Sequence, residues 1–312
     1  MNEMRSPLAT RAFEPEFLRK LDGLMIGTRR ARTHRAGQRT IGRHQGGGIE
    51  LENFRDYAPG DDLRFLDWNA LARHDDLSIR TFRAERQLEI TIMIDASASM
   101  ATPSADDKLG LALTLGAGLA FIGMSENDLV RFAAFAGGRG AARLETTPFR
   151  SRRETYNQFR PFVSGLKPGG ETRISTAAGE MIENRRVPGM VIVISDFLVS
   201  ASDYEEALSG LLGAHHEVKV MHVMGDRESN GNYPPGNYRV RDCETGELRD
   251  VIFGPTAADA CRRRAAEHAA GLRDFCTRRG IIYAPAFGAS QLDEIMTREF
   301  PRLGVMHSPW AS

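Results

Sequence analysis

Cysteine is scarce. Cys243, Cys261 and Cys276 are the only three in 312 residues, too widely spaced and odd in number for a disulfide framework or a C-x-x-C zinc site. A reduced, cytoplasmic setting is the expectation. Net charge is absent as well: 41 Lys and Arg balance 41 Asp and Glu, so the molecule has no bulk attraction for nucleic acid or an anionic membrane, and neither is expected as a partner. The opening M-N-E-M-R-S-P-L-A-T-R holds no apolar run, and no secretory signal is read there. The one long apolar stretch, Leu109 to Met124, is broken by Thr114 and by Gly110, Gly116, Gly118 and Gly123. It falls short of the roughly 20 residues of a membrane span, so a buried central helix is expected instead. Two catalytic signatures are missing. Gly46-Gly47-Gly48 lacks the Lys-Ser/Thr that completes a P-loop and reads as a turn, and no G-x-S-x-G elbow occurs.

What is present suits an ordinary globular chain: 41% hydrophobic and 26% charged residues, enough for a core, at a length fitting two domains or one elaborated domain. In Glu89 to Met100, E-I-T-I-M-I-D-A-S-A-S-M, alternating Ile90, Ile92 and Ile94 give way to small polar residues. A buried strand therefore ends at Asp95. Met190 to Ser195, M-V-I-V-I-S, is a second unbroken apolar run and ends at Asp196, as a central parallel strand would. In open α/β sheets ligands gather beyond the carboxyl ends of the strands. Asp95, Ser97 and Ser99 offer one carboxylate and two hydroxyls on alternate residues of such a loop, hard oxygen donors that suit Mg²⁺ or Mn²⁺ better than Zn²⁺. Taken alone, D-x-S-x-S reads more readily as a helix cap, since Ser is a preferred N-cap; Asp196 and the turn Pro168-Gly-Gly-Glu171-Thr172 give it company.

Elsewhere, Glu14 to Arg32 reads as an amphipathic helix with a basic end (Arg29, Arg30, Arg32, then Arg35, Arg39, Arg43), a cluster balanced by Glu50, Glu52, Asp56, Asp61 and Asp62. Asp128 to Phe135, Ala142 to Thr146, Glu217 to Met224 and Ile281 to Pro285 read as strands. Arg152 to Val163, Asp203 to Ala214, Thr256 to Arg279 and Gln291 to Arg298 read as helices. Asp226 to Pro235 reads as a polar loop, and Tyr238 to Asp242 with Glu247 to Phe253 as a hairpin. His215, His216 and His222 resemble a metal cluster only superficially, because neighbouring His215 and His216 point different ways in either regular structure. No signal is legible after Pro301.

Between Glu50 and Arg73 the chain is crowded with Arg, Asp, Tyr and Trp: Arg55, Tyr57, Asp61, Arg64, Asp67, Trp68 and Arg73. On residue chemistry this reads as an Arg/Asp hydrogen-bond network locking the N-terminal segment onto the core, with an interaction surface as the alternative. The pattern Tyr57-x-Pro59-Gly60-Asp61-Asp62-x-Arg64-x-x-Asp67-Trp68, followed by a strand ending in D-A-S-A-S-M, resembles the bacterial domain-of-unknown-function family fifty-eight from about Arg35 to Phe253. Leu51 stands where a Phe is usual.

The resemblance implies a von Willebrand factor A-like domain, a central mostly parallel sheet flanked by helices, with an N-terminal extension and a C-terminal β-hairpin insertion. It implies residues 1–87 as the extension packed on the core, 88–300 as the domain with its hairpin at about 225–254, and 301–312 as a tail. It further implies a metal-ion-dependent adhesion site at Asp95, Ser97, Ser99, Thr172 and Asp196 holding Mg²⁺ or Mn²⁺, and a MoxR-type AAA+ ATPase as partner, with a further protein client in a chaperone-like or assembly role. Glu171 departs from the usual Gly-Gly-Thr; its carboxylate either reaches the metal or, the preferred reading, faces the positive end of the next helix. The expected function is a non-enzymatic protein-binding module engaging an acidic partner residue. The alternative is a metal-dependent phosphatase or hydrolase, against which stands the missing second Asp two residues after Asp95.

Overall fold

A computed structural model describes residues 7–28, 33–35, 49–59, 61–74, 77–85, 87–135, 144–171, 173–184, 187–243, 246–288 and 291–307. In chain order its elements are α1 (Pro7–Arg11), α2 (Pro15–Leu21), β1 (Met25–Ile26), β2 (Thr33–Arg35), β3 (Ile49–Asp56), α3 (Trp68–His74), β4 (Ser78–Glu85), β5 (Glu89–Asp95), α4 (Lys108–Ser125), β6 (Leu129–Phe135), β7 (Glu145–Thr146), α5 (Arg160–Gly165), α6 (Ile174–Asn184), β8 (Met190–Ser195), α7 (Ala201–Gly213), β9 (Glu217–Met224), α8 (Asp226–Asn230), β10 (Gly236–Arg241), β11 (Leu248–Phe253), α9 (Pro255–Arg279), β12 (Ile282–Phe287), α10 (Leu292–Glu294), α11 (Phe300–Arg302) and β13 (Met306–His307). The chain forms two compact units, residues 29–88 and residues 1–28 with 89–312.

The larger unit is built on a six-stranded sheet of order β12-β9-β8-β5-β6-β7, parallel except for the short edge strand β7. This is the mixed α/β architecture the sequence predicts. β5 and β8 are neighbours, with Ile94 opposite Ile194, so Asp95 stands level with Ser195 and Asp196 follows one residue beyond it on the adjacent strand. One face of the sheet is covered by α6, α7 and α9, whose Ile174, Met181, Leu208, Leu211, Leu272 and Phe275 pack on Met93, Val191, Val193 and Val220. The other is covered by α4.

The glycines explain how α4 can be apolar all round. A Cβ at Gly116 would lie 3.1 Å from Ile94 and 3.2 Å from Ile92 on the sheet, whereas one at Gly118 would lie 2.7 Å from Met296 and 3.2 Å from Leu21 on the far side. The helix is thus sandwiched between the sheet and an outer layer to which α1, α2 and the C-terminal turns contribute, buried from Lys108 to Met124. It is the one helix among the described residues long and apolar enough to cross a membrane, and its surface is spent inside the fold.

Several boundaries differ from expectation. α2 stops at Leu21, where Gly23 takes a left-handed conformation (φ 81°) that turns the chain into β1. Residues 7–28 belong with the large unit rather than with 29–88, so the implied split at residue 87 separates α1 and α2 from the α4 they cover. The supposed tail is structural: Val305 and Met306 are buried, and β13 pairs antiparallel with β1. Lys219, fully buried on β9, pins that corner by donating to the carbonyls of Gly27 and of Val305 at 3.1 Å. The stretch read as a polar loop after Met224 contains α8, and the hairpin is β10–β11.

The smaller unit is a three-stranded antiparallel sheet of order β2-β4-β3 with α3 between β3 and β4. Its turn at Pro59 is closed by Asp61, whose N–H donates to Ala58 O at 3.0 Å and whose carboxylate accepts from Ala58 N at 2.9 Å.

Candidate metal centre

Three loops meet at the carboxyl ends of β5 and β8. Asp95 is fully buried. Its Oδ1 accepts from Ser97 N at 2.9 Å and its Oδ2 from the Ser195 hydroxyl at 2.5 Å. Ser97 and Ser99 are buried with their hydroxyl oxygens 2.9 Å apart at the start of a single 3-10 turn, Ala98–Ala101. Neither hydroxyl caps a helix there, since the 3-10 turn begins without a side-chain cap bond. The Gly169-Gly170 turn is stitched alongside, with Ala98 N donating to Gly170 O at 3.0 Å and Gly169 N to Ala96 O at 2.8 Å. Thr172, next in that loop, lies outside the described residues. Asp196 is buried, with Oδ1 accepting from Leu198 N at 3.2 Å.

The site holds more negative than positive charge. Lys108, the first residue of α4, is fully buried, and its ammonium donates to Asp196 Oδ2 at 2.8 Å and Glu228 Oε1 at 2.7 Å. Burial works against its charge, but Asp196 and Glu228 together hold it above the usual lysine value. Burial likewise lifts Glu228 above the usual carboxylate range, with Lys108 pulling the other way. Asp95 has no cationic partner among the described residues; burial first, and the neighbouring Asp196 second, push its carboxyl up to about 7. One ammonium therefore answers two of the three carboxylates and leaves Asp95 aside.

A divalent cation would relieve this imbalance, and the donor set fits one: a carboxylate on Asp95, hydroxyls on Ser97 and Ser99, and Asp196 behind them. Among the described residues no cluster of three His, Cys, Asp or Glu side chains could hold an ion by itself, so an ion here would depend on the serine hydroxyls.

Behind Asp196 stands a polar shell. His222 on β9 is buried, and burial followed by the neighbouring His268 pushes its imidazole down to about 3. It is therefore neutral at physiological pH. Its Nε2 lies 3.1 Å from the Asp196 carbonyl, which can only accept, so the proton sits on Nε2 and Nδ1 accepts from the Tyr283 hydroxyl at 2.8 Å. His268 Nε2 approaches the same carbonyl at 3.4 Å. The three histidines of the apparent cluster are dispersed: His215 is exposed, and buried His216 accepts from Gly189 N at 3.2 Å.

Glu171 is exposed and pairs with Arg173 at 2.9 Å. The N-terminus of α6, its preferred expected target, is served instead by Asp203, which accepts from Ile174 N at 3.1 Å and from the Ser175 hydroxyl.

In the signature segment, Asp62 caps a 3-10 turn (Leu63–Phe65) and pairs with Arg64 at 2.6 Å. Asp67 is buried, Tyr57 half-buried and Arg73 exposed. Trp68 is 61% exposed, which a buried network does not predict. The side chain of Arg55 lies outside the described set, as do residues 29–32, 36–48 and 60.

Sequence reasoning missed Lys108, Glu228, Ser195 and His268. The legible signal was a lysine heading an otherwise apolar helix, a position where a charge must find a buried partner.

Among known proteins, an uncharacterized protein of Mycobacterium bovis, Mb1516, is 28% identical over 264 residues, 84% of this chain and 78% of its own length. Among solved structures, a conserved hypothetical protein, BatB, from Bacteroides thetaiotaomicron matches 69% of this chain and 98% of its own, with 17% identity and a TM-score of 0.41. A von Willebrand factor type A protein from Catenulispora acidiphila matches 71% and 45%, with 13% identity and a TM-score of 0.36. The family model described as protein of unknown function DUF58 matches residues 53–274, more than two thirds of the chain and all of the candidate site, and the chain belongs to that family.

Proposed function

We propose that this chain is a non-enzymatic protein-binding module in which a divalent cation, Mg²⁺ or Mn²⁺, held at Asp95, Ser97 and Ser99, with Thr172 and Asp196 completing the set, engages an acidic residue of a partner protein. The observation that carries this reading is the fully buried Asp95 carboxylate, without a cation of its own among the described residues, beside two converging hydroxyls. Hydroxyls do not neutralise an ion, so one bound here keeps its appetite for an anionic ligand. Ala101, Glu171 and Leu198, which flank the site in the three loops, are exposed and leave a rim for a partner. By family resemblance the partner is a MoxR-type AAA+ ATPase, with a further protein client, acting in the cytoplasm in complex assembly.

The test is capture of the purified MoxR-type ATPase of the same organism on immobilised protein, with Mg²⁺ and with EDTA. Capture is expected only with Mg²⁺ and is expected to vanish in the Asp95→Ala, Ser97→Ala double variant while the circular dichroism spectrum stays near native, because both side chains are buried at the end of β5 without joining the hydrophobic cluster. Capture that survives both treatments overturns the reading. Turnover of generic phosphate or ester substrates, lost in the same variant, would assign the site to a metal-dependent hydrolase instead.

A further inference from the structure

Burying a lysine is costly, and it persists only where its charge is answered. The Lys108 ammonium is answered twice, by Asp196 and Glu228. Asp196 is correspondingly committed. One carboxylate oxygen takes Lys108, the other takes the Leu198 N–H, and the backbone carbonyl is held by His222. Asp95, on the neighbouring strand, takes only neutral donors among the described residues, Ser97 N and the Ser195 hydroxyl. The two aspartates thus differ in kind: one is neutralised inside the protein, the other is left for an ion.

We propose that Lys108 is a positioning residue for the metal, a built-in cation that keeps Asp196 from binding the ion directly, and that Glu228, on α8, sets how strongly it does so. The inference rests on the metal reading above and adds its regulation. With Asp196 occupied by Lys108, the ion's direct protein ligands carry only the single negative charge of Asp95, and the ion stays attractive to a partner carboxylate. Without the ammonium, Asp196 is free to join the ion, which then binds more tightly and attracts the partner less. Glu228 acts in the opposite sense, because its carboxylate shares the ammonium and draws it away from Asp196.

The experiment is calorimetric titration of the full chain with MnCl₂, together with solvent-proton relaxation to count waters on bound Mn²⁺. Lys108→Met should bind Mn²⁺ about tenfold more tightly, the scale on which one nearby unit charge acts on a divalent ion even with water-like screening, and with fewer bound waters than wild type. Lys108→Arg keeps the charge and should restore both values. Glu228→Gln leaves Lys108 wholly to Asp196 and should weaken Mn²⁺ binding, by about threefold or more. A purely structural role would instead make Lys108→Met and Glu228→Gln err in the same direction, following the loss of stability.

Should Lys108→Met not fold, Lys108→Gln, which removes the charge but keeps a hydrogen-bond donor for Asp196, takes its place with tighter Mn²⁺ binding as the expected direction. Lys108→Met binding no tighter than wild type, or Glu228→Gln binding more tightly, overturns this inference while leaving the metal site intact. Wild type that takes up no Mn²⁺ overturns the metal reading, and this inference with it.

Discussion

Replacing Asp95 with Asn is expected to stabilise the metal-free protein. The Asp95 carboxylate is fully buried beside Asp196, and its pKa stands at about 7 against an ordinary 3.8. Each unit of such a shift corresponds to about 1.4 kcal/mol, so ionising Asp95 at neutral pH opposes folding by up to about 4 kcal/mol. The amide must also be desolvated, and Asn should recover roughly half, about 2 kcal/mol. The geometry tolerates it, because the Asn oxygen can accept from Ser97 N while the Ser195 hydroxyl turns to accept from the amide.

The pH dependence follows from the direction of the shift. Below pH 3.8 Asp95 is protonated in both folded and unfolded chains and carries no penalty. Between pH 3.8 and 7 the unfolded chain ionises while the folded one resists, and the penalty grows to its full size near pH 7. Urea denaturation in EDTA should therefore show the variant more stable than wild type at pH 8, with the gap closing as pH falls toward 4. Saturating Mg²⁺ should reverse the order, since the ion stabilises only the chain that binds it. A variant less stable than wild type in EDTA at pH 8, or a gap indifferent to pH, would refute the account of Asp95 as an anion waiting for a cation.

Two further outcomes test the fold around the site. Lys219→Met removes a donor from the carbonyls of Gly27 and Val305, of which Val305 O keeps the Gly27 N–H; the loss should cost about 2 kcal/mol and lower Tm by about 4–8 °C, with amide exchange accelerating first in β1 and β13. Burial acts against the charge of Asp293, but Lys20 and Arg11 outweigh it and hold the carboxyl below its ordinary range. Its contribution is therefore present above about pH 4 and lost as pH falls further. Asp293→Asn should lower Tm by only about 2 °C at pH 7, because the pairs are solvent-screened, and by less at pH 3; thermal melts at both values check it.

Much of the sheet is legible in the sequence because buried parallel strands are locally written. Ile90, Ile92 and Ile94 alternate, M-V-I-V-I-S does not, and both runs stop at an Asp beyond which small polar residues begin. Hydrophobic period and strand length determine these two strands, and the rule that ligands collect past strand ends points to the candidate site between them. The glycine-rich apolar run likewise determines a buried helix, though the partners of Gly116 and Gly118 appear only once sheet and outer layer are assembled.

Partnership between charges is what only the tertiary structure decided. Lys108 lies 88 residues from Asp196 and 120 from Glu228, separations over which no local pattern constrains which cation meets which anion. Lys219 sits in an alternating strand where period alone would allow it to face solvent, yet the return of the chain through Val305 buries it under three carbonyls, those of Gly27, Gly304 and Val305. Trp68 fails in the opposite direction: a large aromatic in a charged segment suggests burial, and the three-stranded unit leaves it exposed. Hydrophobic burial is additive along the chain and leaves a trace in every few residues. A buried charge is satisfied by one particular atom brought from elsewhere, and that atom is named only when the chain has closed on itself.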